Sequence, residues 1–322
     1  MDLDLAQVRA FVAAAEQLHF GRAAKQLFLS QQALSKRVAR LEHTLGVQLF
    51  SRGTHAVELT DAGRRFLEPA KRTLAAGDLA VAAARHGDRP LRIDVWGHLY
   101  LPMRVVRHVL DDLPELTVEL GLCRDLPTAA TALVRGEIDA SFGRVHPLGD
   151  HREETLTHRL VRLEPIDAIL SAQHPLADAP DLRPTDLREA TLWCPAALDR
   201  LDFLERFADH FAIPTRSGGP NLGLDHFLDH IRADPGCFSL FPADTDTTLP
   251  NHTGLRHIPL INPTPLYAWS LMWRKQDQHP LLGALLRGFA ATGARRRWLD
   301  YHPTRDWLPD ADHAELQHLT SR

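Results

Sequence analysis

Cysteine is scarce in this chain: Cys123, Cys194 and Cys237 stand far apart among 322 residues, with no C-x-x-C pair. That spacing indicates neither a disulfide framework nor a cysteine zinc site, and reduced buried thiols are the expectation. Long apolar runs are missing too, since no stretch approaches the roughly 20 apolar residues a membrane helix needs. The start, Met1-Asp2-Leu3-Asp4, is acidic and lacks a basic region followed by an apolar run, so the chain is expected to stay in the cytoplasm with no membrane partner. Serine-hydrolase, P-loop and G-x-G-x-x-G patterns are absent. Nineteen histidines invite a metal reading, and His226 and His230 are four apart on a helical stretch beside Asp225 and Asp229. A hydrolytic zinc helix carries Glu directly after the first His, however, and Phe227 stands there with no third ligand evident. No catalytic residue, metal or cofactor is expected.

What is present is a positively charged amino-terminal segment on an otherwise acidic chain. The net charge is −4 and 44% of residues are apolar, enough for two or three domains with their own cores. Residues 1–72 hold eleven Lys or Arg against seven Asp or Glu, leaving the remainder at −8. Such a split suits a DNA-binding module joined to one that does not bind DNA. Within it, Leu34, Val38, Leu41 and Leu45 recur at helical spacing and mark a buried stripe. The opposite face carries Gln32, Lys36 and His43, flanked by Ser35 and Arg40, with Gln31 at the start and no acid. Ser30 caps this helix, and a shorter amphipathic run, Arg22 to Leu27, precedes it. The pair is a helix-turn-helix whose second helix projects into a DNA major groove, where Gln pairs with adenine and Lys with guanine. Arg37 belongs to the same basic helix. After Gly46, Val47 to Phe50 and Ala56 to Leu59 alternate as strands around Arg52-Gly53-Thr54-His55, a basic-tipped wing that brings Arg52 and His55 to phosphates.

The run His19-Phe20-Gly21-Arg22-Ala23-Ala24, then Leu27, Ser30-Gln31, Leu34-Ser35, Leu41-Glu42, Leu45-Gly46-Val47, Leu49-Phe50-Ser51-Arg52 and Leu59-Thr60-Asp61-Ala62-Gly63 resembles the amino-terminal signature of LysR-type transcriptional regulators. Order and spacing match throughout. Two departures bear on base preference: Gln32 stands where the family commonly has Pro, and Lys36 where Arg is more usual, which exchanges a planar fork for a point charge.

Downstream, a first helix marked by Leu5, Val8, Val12 and Ala15 completes the core of the first module, expected over residues 1–60. From Thr60, Leu67, Leu74 and Val81 form a seam at heptad spacing on a helix running to about His86, roughly 39 Å long. That is too long for the small winged module to bury alone, so residues 61–89 are expected to dimerise with a second copy, with a kink at Pro69. After the linker Gly87 to Pro90, strand and helix alternate, which points to an α/β domain with a mostly parallel sheet over residues 90–292. Gly136 to Ala140, His174 to Ala177, Gly236 to Pro242 and His279 to Leu282 resemble effector-domain segments of the same family. The resemblance implies a fold like that of periplasmic solute-binding proteins, with subdomain I over 90–163 and 266–292 and subdomain II over 164–265. It also implies a tetramer of two dimers, a double-stranded DNA operator, a small-molecule effector and RNA polymerase as partners. Residues 293–322, with Arg295-Arg296-Arg297-Trp298, Trp307 and a helix candidate from Asp310 to Leu319, lie beyond the family's usual end; the arginines read as DNA contacts or as a solvated helix cap.

In open α/β sheets ligands collect at strand carboxyl ends and helix amino termini. The loops expected to converge on a cleft place His98, Leu99, Tyr100, Arg124, Arg144, Trp193, Cys194 and Asn221 there. Arg124 and Arg144 suit a carboxylate; Tyr100 and Trp193 suit a ring. The family more often has Ser or Thr where His98 to Tyr100 stand. A ligand-responsive transcription factor accounts for all three parts of the chain. A solute-binding protein, a thiol sensor using Cys194 or Cys237, and an enzyme fused to a DNA-binding module are the alternatives.

Overall fold

A computed structural model describes residues 3–52, 57–86, 89–97, 102–218, 223–243, 254–276 and 279–320. The chain divides into two compact units, Met1–Arg89 and Pro90–Arg322.

The first unit begins with three helices, α1 (Leu5–Gln17), α2 (Phe20–Gln26) and α3 (Gln31–Leu45), followed by a two-stranded hairpin, β1 (Phe50–Arg52) with β2 (Val57–Leu59), and the long α4 (Asp61–His86). Each short helix has its own start signal: Asp4 accepts from the Ala6 N–H, His19 from that of Arg22, and Ser30 from that of Ala33. Gly46, at φ +70°, ends α3 in the left-handed conformation that costs glycine least. Leu34, Val38 and Leu41 of α3 enter one cluster with Val8, Phe11, Ala23, Ala24 and Leu49. Gly63 is required where α4 leaves the hairpin, because a Cβ there would lie 2.1 Å from the Leu49 carbonyl oxygen.

Pro69 lies inside α4, which runs on past it as expected. Leu74 is 5% exposed and shares the core of this unit with Ala70 and Phe11, while Leu67 packs half-buried against the same cluster. Leu74 is therefore covered within one chain, whereas Leu67 keeps part of its surface exposed. Val81 lies farther along α4.

The second unit is built on one mixed sheet. Its strands are β3 (Leu91–Val95), β4 (Val118–Leu122), β5 (Ala140–Gly143), β6 (Leu156–Ser171), β7 (Thr191–Cys194), β8 (Thr215–Ser217), β9 (Cys237–Pro242), β10 (Leu255–Ile258), β11 (Thr264–Arg274) and β12 (Asp306–Trp307). Its helices are α5 (Pro102–Leu110), α6 (Leu126–Val134), α7 (Arg152–Thr155), α8 (Asp202–Phe211), α9 (Leu224–Ala233), α10 (Leu282–Arg296) and α11 (Asp310–Thr320). The order β4-β3-β5-β11-β6-β9-β7-β8 is held together by β6, 16 residues long. Up to Pro165 it pairs antiparallel with β11; from Ile166 it pairs with β9 and β10. Two lobes thus share one strand: β3, β4 and β5 are parallel neighbours in one, and β7 with β8 and β9 in the other. The turn Gly136 to Asp139 is fixed by Gly136 at φ +70° and by the Asp139 carboxylate, which accepts from the Arg92 backbone N–H at 3.0 Å.

Residues 297–320 are an integral part of this unit rather than a solvated tail. Trp298 O accepts from the Leu163 N–H at 2.7 Å, the Trp307 segment pairs in parallel with the start of β11, and Leu308 and Leu316 join a core with Leu160, Leu163, Leu266 and Ala268. Of the arginine run, Arg295 pairs with Asp112 and Arg297 with Asp300.

Candidate nucleic-acid interface and effector cleft

On α3 the buried stripe fixes what the other face presents. Gln31, Gln32, Lys36 and Arg40 are exposed, and Ser35 and Arg37 are half-buried beside them. The only acid of the helix, Glu42, is turned away: its Oε1 accepts the backbone N–H groups of Leu49 and Phe50 at 2.8 and 3.1 Å. This bond pair ties the hairpin to α3 and leaves the exposed face without an acid. Arg22 is exposed but donates to the Gln17 carbonyl at 3.0 Å, which fixes its direction. Arg52 ends β1, and His55 lies outside the described residues. One feature escaped the pattern reading: Phe28, in the turn between α2 and α3, is 97% exposed at φ +53°.

In the second unit the expected cleft residues separate. His98, Leu99, Tyr100 and Asn221 lie outside the described residues. Arg124 is exposed next to Asp125, which caps α6 and pairs with Arg200 at 2.9 Å, a link from the first lobe to the second. Trp193 is buried, stacked on His230 at 4.8 Å and tilted against Phe227. Cys194 is fully buried, and burial pushes its thiol up to about 12, as it does for Cys123. Cys237 is also raised by burial. Burial of all three thiols fits core cysteines, and Cys237 also accepts from Arg216 Nη2 at 2.8 Å. The His226 and His230 rings meet edge to face at 4.6 Å, and no group of three metal-ligating side chains occurs among the described residues.

Arg144 is the residue on which the lobes converge, and it is already engaged. It follows β5, is 4% exposed, and donates Nε and Nη2 to Asp202 Oδ2 at 3.0 and 2.6 Å. Its Nη1 donates to Asp312 Oδ2 at 2.6 Å. The guanidinium also lies 5.6 Å from the ring centre of Phe203 and 5.7 Å from that of Tyr267. Burial works against its charge, but Asp312 and Asp202 together hold Arg144 above its ordinary value. Asp202 stands in the first turn of α8 and Asp312 in that of α11, where helix dipoles favour carboxylates. The expectation of an open arginine awaiting a ligand missed both partners, which are 58 and 168 residues away in sequence. A pocket of about 730 Å³ opens where α11 passes the beginning of β6, with His146, His158, Arg159, Asp312 and His318 among its walls.

Residues 5–64 match the family described as bacterial regulatory helix-turn-helix protein, lysR family, and residues 84–294 match the LysR substrate binding domain. The chain belongs to the LysR family. The uncharacterized HTH-type transcriptional regulator YnfL of Escherichia coli is 32% identical over 196 residues, 58% of this chain and 64% of its own length. The chain thus spans just under two thirds of that relative. BenM, an HTH-type transcriptional regulator of Acinetobacter baylyi, is 28% identical over 82% of this chain and 89% of its own. The crystal structure of full-length BenM covers 92% of this chain and 98% of its own at 25% identity, with a TM-score of 0.52. Full-length CbnR complexed with its target DNA, at 23% identity, covers 90% of this chain and 99% of its own with a TM-score of 0.53, which bears on fold alone. The LysR substrate-binding match ends at residue 294, so the segment carrying Trp307 and Asp312 lies beyond it.

Proposed function

We propose that this LysR-family chain is a sequence-specific, ligand-responsive transcriptional regulator: the first unit binds a double-stranded operator, and the second responds to a small molecule between its lobes. The observation that carries the first half is the exposed face of α3, where Gln31, Gln32, Lys36 and Arg40 stand free of acid because Glu42 is spent on the hairpin. Amide and ammonium groups there suit bidentate contacts to adenine and guanine edges, with Ser35 and Arg37 at the flank and Arg22, Arg52 and His55 directed to phosphates. The second half rests on two lobes that meet at buried charge, with a carboxylate-binding arginine at the junction. Small carboxylates and aromatic acids are the effector class this chemistry favours. Arg124, exposed at the start of α6 beside the Asp125–Arg200 link between the lobes, is a further candidate for that contact.

Self-association belongs to the same proposal. One winged module meets few phosphates, and an operator of paired half-sites requires two modules at fixed spacing. A dimer through α4, a tetramer of such dimers and a contact with RNA polymerase complete the reading. No described helix is long and apolar enough to cross a membrane, and action in the cytoplasm is part of the proposal. The test is selection of duplexes from a random-sequence pool by the full chain. Enrichment of one motif with two related half-sites is expected; a pool that stays random after repeated rounds would contradict sequence-specific binding.

A further inference from the structure

The contacts of Arg144 are those of a carboxylate-recognition site whose occupant is the chain itself. Two nitrogens of its guanidinium are held by Asp202, which fixes the fork on the second lobe. The remaining face presents Nη1 to a single carboxylate, that of Asp312, inside walls formed by Phe203 and Tyr267. Asp312 is 3% exposed and arrives from α11, an element outside the match to the substrate-binding domain. Beside it, Trp307 fills an aromatic slot on α8, tilted or edge-on to Phe203, Phe207 and Phe211 at 5.4 to 5.9 Å. The same segment holds the first lobe through Glu315, which accepts from the Leu160 N–H at 2.7 Å, and through the pairing of Trp307 with β11. One short segment therefore supplies a carboxylate to the junction arginine and an indole to the second lobe, while its backbone is stitched to the first.

We propose that residues 298–320 are an intramolecular ligand, with Asp312 occupying the carboxylate position on Arg144, so that a small external carboxylate acts by taking that position and releasing α11. This rests on the reading of the second unit as an effector domain. Three features make the exchange feasible. Asp312 is the weaker-held of the two acids: it accepts one guanidinium bond, from Arg144 Nη1, whereas Asp202 accepts from Nε and Nη2 of Arg144 and from Nε of Arg206. Replacing one carboxylate by another conserves charge, so Arg144 never stands buried without a counter-ion. Finally, α11 has the 730 Å³ pocket along one flank, so its separation from β6 does not require a fully packed interface to open at once.

Chemical rescue in the full chain tests this. Asp312→Ala empties the carboxylate position, and sodium acetate can then refill it, with sodium chloride at equal concentration as the control. Acetate is expected to raise the Tm of Asp312→Ala above the chloride control in a saturable manner and at lower concentration than it acts on wild type, where it must first displace Asp312. Equal acetate effects on the two proteins, or none on the variant, would overturn the proposal. Should Asp312→Ala not fold, hydrogen exchange of Asp312→Asn decides instead. Loss of the charged bond is expected to speed exchange of the α11 amides by about tenfold while those of α9 keep their wild-type rate. Unchanged α11 protection would overturn the latch. Operator selection by wild type is independent of both readouts, so failure of the regulatory reading and failure of the latch are told apart.

Discussion

At the scale of single residues, position relative to the core decides which polar groups can act. Lys36 and Glu42 lie on one helix, yet the first is exposed and the second accepts two backbone N–H groups. Glu42→Ala leaves those amides unpaired and is expected to cost the first unit about 2 kcal/mol. Urea unfolding of the full chain followed through that unit checks this, and a variant as stable as wild type would show that Glu42 does not hold the hairpin. Asp167 offers a pH test in the second unit. Burial pushes its carboxyl up from 3.8 to about 6, against the Leu260 N–H, and His257 lies 3.5 Å away. A carboxyl raised on folding binds its proton more tightly in the folded state, so its contribution is full below pH 3.8 and is lost as pH rises through about 6. The loss is at most about 3 kcal/mol at roughly 1.4 kcal/mol per pH unit. Asp167→Asn should therefore gain stability relative to wild type at pH 7.5 and keep only about half of that gain near pH 5. Denaturation curves at both values check it; a gap that does not depend on pH would contradict the assignment.

At the scale of elements, periodic helices were legible and mixed-polarity strands were not. The courses of α3 and α4 follow from apolar spacing and capping residues read off the chain. The first half of β6 was hidden because His158, Arg159, Arg162 and Glu164 interrupt its apolar pattern. Arg162 and Glu164 are in fact buried, bonded to each other at 2.9 Å, with Glu164 also accepting from the Trp269 indole at 2.7 Å. The heptad seam of α4 is a different case: spacing marks Leu74 for burial but does not say by what, and within one chain the first unit's core covers it. Ala76 and Ala80, four residues apart on α4, are small apolar positions exposed among the described residues and suit the proposed contact with a second copy. Leu74→Glu is accordingly expected to unfold the first unit, since it places a carboxylate in that core at a cost of several kcal/mol. Ala80→Glu is expected to dissociate dimers while the unit keeps its Tm. Sedimentation together with thermal melts separates the two, and an Ala80→Glu dimer as tight as wild type would remove α4's exposed face from the interface.

At the scale of the whole molecule, a positive module and an acidic remainder were readable from composition, and the family signature assigned them roles. The junction in the second unit was not readable. Arg144 was a plausible ligand contact by position, but Asp312 and Trp307 come from a segment that carries no family pattern, and only folding brings them to it. The central claim is that α3 reads bases while the rest of the basic surface supplies salt-sensitive affinity. Its most direct test is the ratio of affinities for a selected duplex and for its scrambled counterpart, measured by fluorescence anisotropy across a salt series with wild type and Lys36→Ala. Removal of a base contact should shrink that ratio by about tenfold or more, since a good base pairing contributes roughly 1–3 kcal/mol of discrimination. An unchanged ratio in Lys36→Ala, with affinity lost equally for both duplexes, would contradict base readout by this face of α3.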